Sequence, residues 1–318
     1  MNGDIIEHLI ILAEYYKTTG DGWRYRAYRN AARSIRDLQF EIRSQKDLEN
    51  IKGVGKGIAG KIWELKTSGK IDKVETVVKA DTRVSSLKAL EKIWGVGPVK
   101  AKKLFESGFT SVESLKKYGS KGVLTRQQEI GLKYYDDLLL KIKREYIASY
   151  EAAMRYVLIK KFGRDTFTLE IAGSFRRKKP SSGDIDVLVT STVFDLKEMV
   201  ETLRDCSVGT GLPRGCSLVS DVLSMKDTKF MGIGKCAFSD HHAFRLDIEF
   251  VPLKEWYSAL LYFTGSAQNN VRMRIAAKEQ GMTLSEHGLF IGESRLDLNS
   301  EEEYFEILGF DYLMPEER

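Results

Sequence analysis

The stretch GSFRRKKPSSGDIDVLV, residues 173–189, decides the fold class. Asp184 and Asp186 stand two apart at the start of an apolar run that reads as a strand, so their side chains emerge on one face. Paired carboxylates on one face suit hard cations. An isolated Asp-x-Asp is more often a turn residue and a solvated strand residue. Here Gly173 and Ser174 lie ten residues upstream, directly after a second strand-like run, TFTLEIA (166–172). They open a helix whose N–H groups, together with the Ser174 hydroxyl, suit phosphate oxygens. Arg177, three residues on, shares that helical face, and Ser182 and Gly183 add donors. A third run, FRLDIEFV (244–251), alternates: Leu246, Ile248 and Phe250 point to a core, while Arg245, Asp247 and Glu249 share the other face. Asp247 completes a three-carboxylate site. With a helix expected over 194–203, this half of the chain is mixed α/β.

Further towards the N-terminus an internal repeat appears. IKGVGKGIAGK (51–61) and IWGVGPVKAKK (93–103) superimpose at an offset of 42 residues, with Ile, both glycines, Val, Ala and the final Lys coinciding. Each copy reads as a helix, a tight Gly-Val-Gly turn and a second helix with an inward-facing Ala. Gly53, Gly55, Gly95 and Gly97 let backbone N–H groups approach a phosphate closely, a grip independent of base sequence. A single Gly-x-Gly turn joins helices without further meaning; two matched copies point to nucleic-acid backbone. Gly55 to Lys61 also has Walker A spacing, but Ile62 stands where a Ser or Thr must hold Mg²⁺, which excludes a P-loop ATPase. Ile5, Ile6, Leu9, Leu12 and Ala13 recur at helical spacing and 25–35 forms a second helical pattern, so the first eighty residues read as all-helical.

The 318 residues, 42% hydrophobic and 30% charged, suffice for two or more domains and are too apolar for a disordered chain. Between Ile51 and Glu145 there are 21 Lys and Arg against 11 Asp and Glu, so the whole-chain charge of +5 conceals a local +10. That excess suits a polyanion. Cys206, Cys216 and Cys236 are odd in number and far apart, which fits neither a disulfide framework nor a zinc site. The opening MNGDIIEH lacks a secretory signal, and no apolar run is long enough for a bilayer. A soluble protein of a reducing, intracellular compartment is expected, with no membrane association.

These residues resemble those of the family X DNA polymerases along essentially the whole chain. The matching stretches are YRNAA (28–32), both hairpin motifs, GSFRR through Asp186, TKFMG (228–232), RLDI (245–248) and LYFTGS (261–266). The resemblance implies an α+β fold: an all-helical N-terminal half with two helix-hairpin-helix motifs, a nucleotidyltransferase palm with a mixed sheet, and a small C-terminal α/β subdomain. It implies a lyase-like domain over 1–79, a DNA-binding subdomain over 80–143, the palm over 144–253 and a nascent-base-pair subdomain over 254–318. The activity implied is template-directed gap filling by a monomer on gapped or primed duplex DNA. Asp184, Asp186 and Asp247 would hold two Mg²⁺ ions, with Mn²⁺ able to substitute, and a monovalent cation would sit at the hairpins.

By the same resemblance Ser174, Arg177, Ser182 and Gly183 contact the incoming dNTP. Tyr262, Phe263 and Gly265 lie along its deoxyribose, Arg245 lies near the primer terminus, and Asn270 and Arg274 touch the nascent base pair. The i, i+4 spacing of Asn270 and Arg274 by itself puts both on one helical face. Lys61 matches a Schiff-base lysine for 5′-deoxyribose-phosphate removal, with Tyr28 and Arg24 around the 5′-phosphate. Lys56 and Lys73 are near enough in sequence to supply positive charge. The pattern breaks at Ala267, Val271, Glu249 and His287, where an aspartate, a lysine, an arginine and a tyrosine are expected, and at Gly57 and Glu49, where phosphate-binding lysines are expected. His287, His241 and His242 are assigned no catalytic role. Two rival readings are template-independent terminal transfer, against which the Tyr-Phe-Thr-Gly segment speaks, and a non-catalytic DNA-binding scaffold, against which the carboxylate triad speaks.

Overall fold

The computed structural model describes residues 2–75, 82–118, 122–205, 217–235 and 243–318. Cys206, Cys216, Cys236, His241 and His242 lie outside the described residues. Two compact units divide the chain, Met1–Leu132 and Lys133–Arg318. No helix among the described residues is long and apolar enough to cross a membrane.

The first unit is helical. In α1 (Gly3–Thr18) the residues Ile5, Leu9, Leu12, Ala13 and Tyr16 fall on one stripe, which packs on Tyr28, Ala31, Ala32 and Ile35 of α2 (Gly22–Arg36). Ile6 is only half-buried at the margin of that stripe. Asp21 caps α2 by accepting the Arg24 N–H at 2.9 Å. The repeat continues with α3 (Lys56–Ser68), α4 (Thr82–Glu91) and α5 (Pro98–Glu106), followed by α6 (Val112–Tyr118) and α7 (Arg126–Lys133). The two hairpin turns have the same backbone. Gly53 and Gly95 take φ of +85° and +79°, and Val54 and Val96 donate to the carbonyls of Ile51 and Ile93 at 3.0 and 2.9 Å. Gly55 and Gly97 then cap α3 and α5 in extended conformation.

The copies differ in two respects from the expected pattern. The element before the first turn is a four-residue 3₁₀ turn, Gln45–Leu48, rather than an α-helix. Asp47 closes it by accepting the N–H groups of Arg43 and Ser44, both at 2.8 Å. Ala59 is half-buried, whereas its counterpart Ala101 is fully buried.

The second unit is built on a mixed sheet. It runs α8 (Tyr135–Leu138), β1 (Ile142–Lys143), α9 (Arg144–Phe162), β2 (Phe167–Ile171), α10 (Gly173–Arg176), β3 (Ser181–Ser182), β4 (Ile185–Ser191), α11 (Leu196–Arg204), β5 (Ser217–Met225), β6 (Lys229–Lys235) and β7 (Phe244–Phe250). A smaller C-terminal part follows: α12 (Trp256–Thr264), α13 (Ala267–Glu279), β8 (Met282–Ser285), β9 (Gly288–Ile291), β10 (Ser294–Arg295) and α14 (Glu301–Ile307). The main sheet has the order β2-β4-β7-β6-β5, with β4 and β7 parallel and the other pairs antiparallel. Val187, Val189, Leu246 and Ile248 join the core formed with α9 and α11. Leu188 packs with Trp256, Ala259 and Leu260 of α12. The expected α+β class and mixed sheet are present.

The strand β6 carries no alternating signal because Gly232 and Gly234 interrupt it, and both glycines have a packing reason. A Cβ on Gly232 would fall 2.2 Å from the Phe230 ring, and one on Gly234 2.4 Å from the Phe244 ring. In the first unit Gly131 of α7 is equally constrained: a Cβ there would lie 2.7 Å from the Trp94 carbonyl oxygen. Gln128, one turn earlier, donates to the Gly95 carbonyl at 2.7 Å, so α7 braces the second hairpin. Gly131→Ala therefore presses a methyl group against the Trp94 backbone and is expected to destabilise the protein by about 1–3 kcal/mol. Urea denaturation of the two proteins measures this, and an unchanged midpoint would show that α7 does not brace the turn.

Candidate active site

The register of β4 on β7 brings the carboxylates together. Ile185 pairs with Leu246 and Asp186 with Asp247, so the alternation that sends Val187 and Ile248 into the core sends Asp186 and Asp247 to the opposite face, side by side. Asp184 precedes β4 by one residue and joins them; one oxygen from each of the three carboxylates lies within 4.8 Å of the others. Gly173 permits the approach of Asp186. Its φ is +53°, and a Cβ would fall 2.2 Å from the Asp186 Oδ2.

The electrostatics of this cluster are unbalanced. Burial first, then the charges of Asp184 and Asp247, push the Asp186 carboxyl up to about 7, against the pull of Arg245 and Lys229. Burial likewise raises Asp247. Arg245 bridges two of the acids, donating to the Asp247 Oδ2 at 2.5 Å and lying 3.0 Å from the Asp184 Oδ2. Yet the Asp247 Oδ1 and the Arg245 Nε are buried without a partner. An orphaned carboxylate oxygen within an all-oxygen donor set fits a hard divalent cation, which Asp184, Asp186 and Asp247 could hold. Glu249, on the same face of β7, is paired across the sheet with Lys229.

The residues matched to a triphosphate site converge beside the acids. The Ser174 hydroxyl donates to the Ser182 hydroxyl at 2.7 Å; Ser182 is buried and Gly183 exposed. The expected helix after Gly173 is a single turn, so Arg177 is its C-cap residue rather than part of a helical face. The Arg177 guanidinium donates to the Thr264 carbonyl, at the end of α12, where Tyr262 and Phe263 meet edge to face with centroids 5.2 Å apart. Gly265 follows with φ +69°, and a Cβ there would lie 3.2 Å from Arg177. Asn270 and Arg274 of α13 line one recess with Tyr262 and Leu284, and Asn270 donates to the Tyr262 carbonyl at 2.7 Å. His287, at the β8–β9 turn, is bound to Glu255 at 2.8 Å.

One group was missed from sequence. The Lys141 Nζ lies 3.4 Å from where a Cβ on Gly183 would stand, because β1 pairs with β3 with Ile142 opposite Ser182. Strands of two residues leave no periodic signal, so nothing in the sequence marks this pairing.

In the first unit, Lys61 of α3 is ion-paired with Glu64 at 2.6 Å. The Lys61 hydrogen bond, and then the Asp72 N–H, hold the Glu64 carboxyl below its ordinary range. Tyr28 stacks on Tyr16, centroids 5.5 Å apart, and Arg24 lies over the Tyr16 ring. Lys73 donates to the Tyr16 hydroxyl at 2.7 Å. Sequence spacing did not reveal Glu64 as the partner of Lys61, although it lies at i+3. At the hairpins a Cβ on Gly55, Gly57 or Gly97 would meet nothing within 4 Å, so the starts of α3 and α5 face open space.

The Asp186 shift has a stability consequence. Between the ordinary aspartate value near 4 and about 7 the folded chain keeps a proton that the unfolded chain has lost, so metal-free stability falls as pH rises through that window. A cation binds the ionised cluster, so Mg²⁺ should raise the melting temperature more at about pH 8 than at about pH 6. Asp186→Asn should remove most of that difference. An Mg²⁺ effect equal at both pH values would contradict the assignment.

Comparison with known proteins follows the same order along the chain. Residues 1–71 match the model of a helix-hairpin-helix domain, 88–139 that of the fingers domain of DNA polymerase lambda, 141–253 the DNA polymerase beta palm and 259–318 the DNA polymerase beta thumb. The DNA polymerase lambda of Rattus norvegicus is 34% identical over all of this chain and 56% of its own length. That of Arabidopsis thaliana is 30% identical over all of this chain and 62% of its own length. A DNA nucleotidylexotransferase of Xenopus laevis is 29% identical over 97% of this chain and 66% of its own length. The chain thus spans about three fifths of the curated relatives it matches. With consecutive palm and thumb matches after the helix-hairpin-helix region, and relatives aligned over its full length, the chain belongs to the family X DNA polymerases.

Proposed function

We propose that this chain is a template-directed DNA polymerase that fills short gaps during repair, with a second, 5′-deoxyribose-phosphate lyase activity at Lys61. The observation that carries the first part is the convergence of Asp184, Asp186 and Asp247 within 4.8 Å, with an orphaned Asp247 oxygen. Two Mg²⁺ ions, replaceable by Mn²⁺, would supply a lowered pKa at the primer 3′-hydroxyl and charge neutralisation on the transferred phosphoryl group. The chain's own residues do the rest. Asp184, Asp186 and Asp247 hold the cations, and Arg245 is displaced from the carboxylates towards the primer terminus. Ser174, Ser182, the Gly183 N–H, Arg177 and Lys141 take up the charge of the triphosphate. Tyr262, Phe263 and Gly265 line the sugar and disfavour a 2′-hydroxyl, while Asn270 and Arg274 contact the nascent base pair.

Gly53, Gly55, Gly95 and Gly97 hold DNA backbone, with a monovalent cation at each turn. The lyase-like domain takes residues 1–79, the DNA-binding subdomain 80–143, the palm 144–253 and the base-pair subdomain 254–318. The protein acts as a monomer inside the cell on gapped or primed duplex DNA.

Asp247→Ala should abolish primer extension on a one-nucleotide gap while leaving gapped-DNA binding nearly intact, because the carboxylates are distinct from the hairpin motifs. Extension retained with Mg²⁺ would remove Asp247 from the mechanism. The similarity to a nucleotidylexotransferase favours one second reading, untemplated addition. Equal incorporation of all four dNTPs on single-stranded primer and on the gap would replace the templated reading with it.

The lyase rests on Lys61 as nucleophile. Its amine adds to the C1′ aldehyde of the ring-opened sugar, and loss of water gives the Schiff base. The Lys61–Glu64 pair has to open first, leaving Glu64 poised to accept a proton from the reacting amine. Borohydride trapping on a 5′-incised abasic site should give an adduct that Lys61→Ala loses. Undiminished trapping in that variant would assign the chemistry to another amine.

A further inference from the structure

The helix α2 holds five arginines and no acidic residue between Gly22 and Arg36. Arg24 belongs to the Tyr16–Tyr28 cluster. The other four, Arg26, Arg29, Arg33 and Arg36, are exposed and follow one another at spacings of three, four and three residues, which sets them along one side of the helix. Arg29 is held by the Tyr25 hydroxyl and ring. Among the described residues Arg26, Arg33 and Arg36 form no ion pair. Arg29, Arg33 and Arg36 line, with Ile10, Asn30 and Ala32, a recess of about 250 Å³ between α1 and α2.

We propose that this arginine row is a binding site for a nucleic-acid phosphodiester strand, additional to the two hairpins and to the Lys61 site, and that it continues the grip of the first hairpin. The inference rests on the DNA-binding reading above. Continuity comes from the turn itself: a Cβ on Gly53 would stand 3.8 Å from the Asn30 Cβ and the Ala31 nitrogen. The first hairpin turn thus packs against α2 at Asn30, a residue that also lines the recess. Spacing agrees with the ligand. Ten residues of helix span about 15 Å, and phosphates of one strand advance by about 3.4 Å each, so the row faces about four phosphates. Arginine suits them better than lysine, because its planar fork donates to a phosphate through two N–H groups. An acidic peptide would satisfy the charge but has no reason to abut the hairpin turn.

The test compares three full-length proteins by fluorescence anisotropy on gapped duplex DNA across a salt series. These are the parent, the triple variant Arg26→Gln, Arg33→Gln, Arg36→Gln, and a control with the same charge loss in the other unit, Lys160→Gln, Lys161→Gln, Arg164→Gln. Each lost phosphate contact lowers the slope of log K against log salt by about 0.9. The α2 variant should therefore lose about 2–3 from the slope while melting at the parent temperature, and the control should keep the parent slope. A parent that binds with an α2 variant of identical slope would overturn the arginine site alone. Equal losses in both variants would attribute the effect to net charge and overturn it as well, as would poly-glutamate displacing a fluorescent probe from the parent better than DNA of equal charge. A parent that fails to bind DNA at any salt would instead sink the DNA-binding reading on which the site depends.

Discussion

The main sheet of the second unit holds three carboxylates together against their mutual repulsion. The parallel pairing of β4 and β7 sets Asp186 opposite Asp247, and the start of β4 adds Asp184, so three carboxylates share one side of the sheet. No local preference favours this; like charges directly opposite on adjacent strands destabilise a sheet. What holds them is the other side, where Val187, Val189, Leu246 and Ile248 are locked into the core with α9 and α11. A slip of one residue in either strand would relieve the acids and turn those apolar side chains to water. The core thus enforces the register, and the register enforces the charge cluster. Arg245 neutralises only part of it and leaves its own Nε and the Asp247 Oδ1 unsatisfied.

How much of this was legible in sequence follows from the range of each signal. The pairs Asp184/Asp186 and Arg245/Asp247 were placed on shared faces by a period of two within single strands, which needs no tertiary information. The second hairpin was legible from the first because the turn hydrogen bonds, Val54 to Ile51 and Val96 to Ile93, are local. Features set by partners distant in sequence were not. Lys141 reaches Gly183 through a two-residue strand pairing, and Gly234 of β6 is required because the ring of Phe244, from β7, lies over it. The single-turn length of α10 was hidden too, since Pro180 marks a helix end in GSFRRKKP without showing that the turn stops as early as Arg176. Lys178, at φ +56°, ends it by turning the chain back towards β3.

Glu249 illustrates a departure from the family pattern that geometry resolves. An acidic residue beside three carboxylates looks unfavourable, but the antiparallel register puts Lys229 directly opposite, and the two side chains form an ion pair. Burial raises the Glu249 carboxyl, while the Lys229 hydrogen bond and charge oppose that rise. The pair keeps the local charge close to what a neutral residue would leave, and Lys229 is near enough to draw the Asp186 and Asp247 carboxyls downward as well.

The position of the loop between β2 and β4 is set by Arg176 rather than by Arg177. Arg176 is bidentate to Glu301, at 3.0 and 2.6 Å, and donates to the Thr264 hydroxyl at 2.8 Å. Glu301 is 4% exposed and is also bound by Arg318 at 2.6 Å. Arg318 in turn lies over the rings of Phe305 and Tyr312. Removing one partner from such a buried cluster leaves an uncompensated charge, which costs about 3–5 kcal/mol, whereas the bond from Arg177 to the Thr264 carbonyl is a single half-buried contact. In the proposed function, a triphosphate drawing the Arg177 side chain away from Thr264 would have only that contact to break. The loop backbone, with Ser174 against Ser182 and Gly173 against Asp186, stays anchored to the end of α12 through its neighbour. Of the two adjacent arginines, Arg176 is the fixed strut, while Arg177 is held at Thr264 by one hydrogen bond.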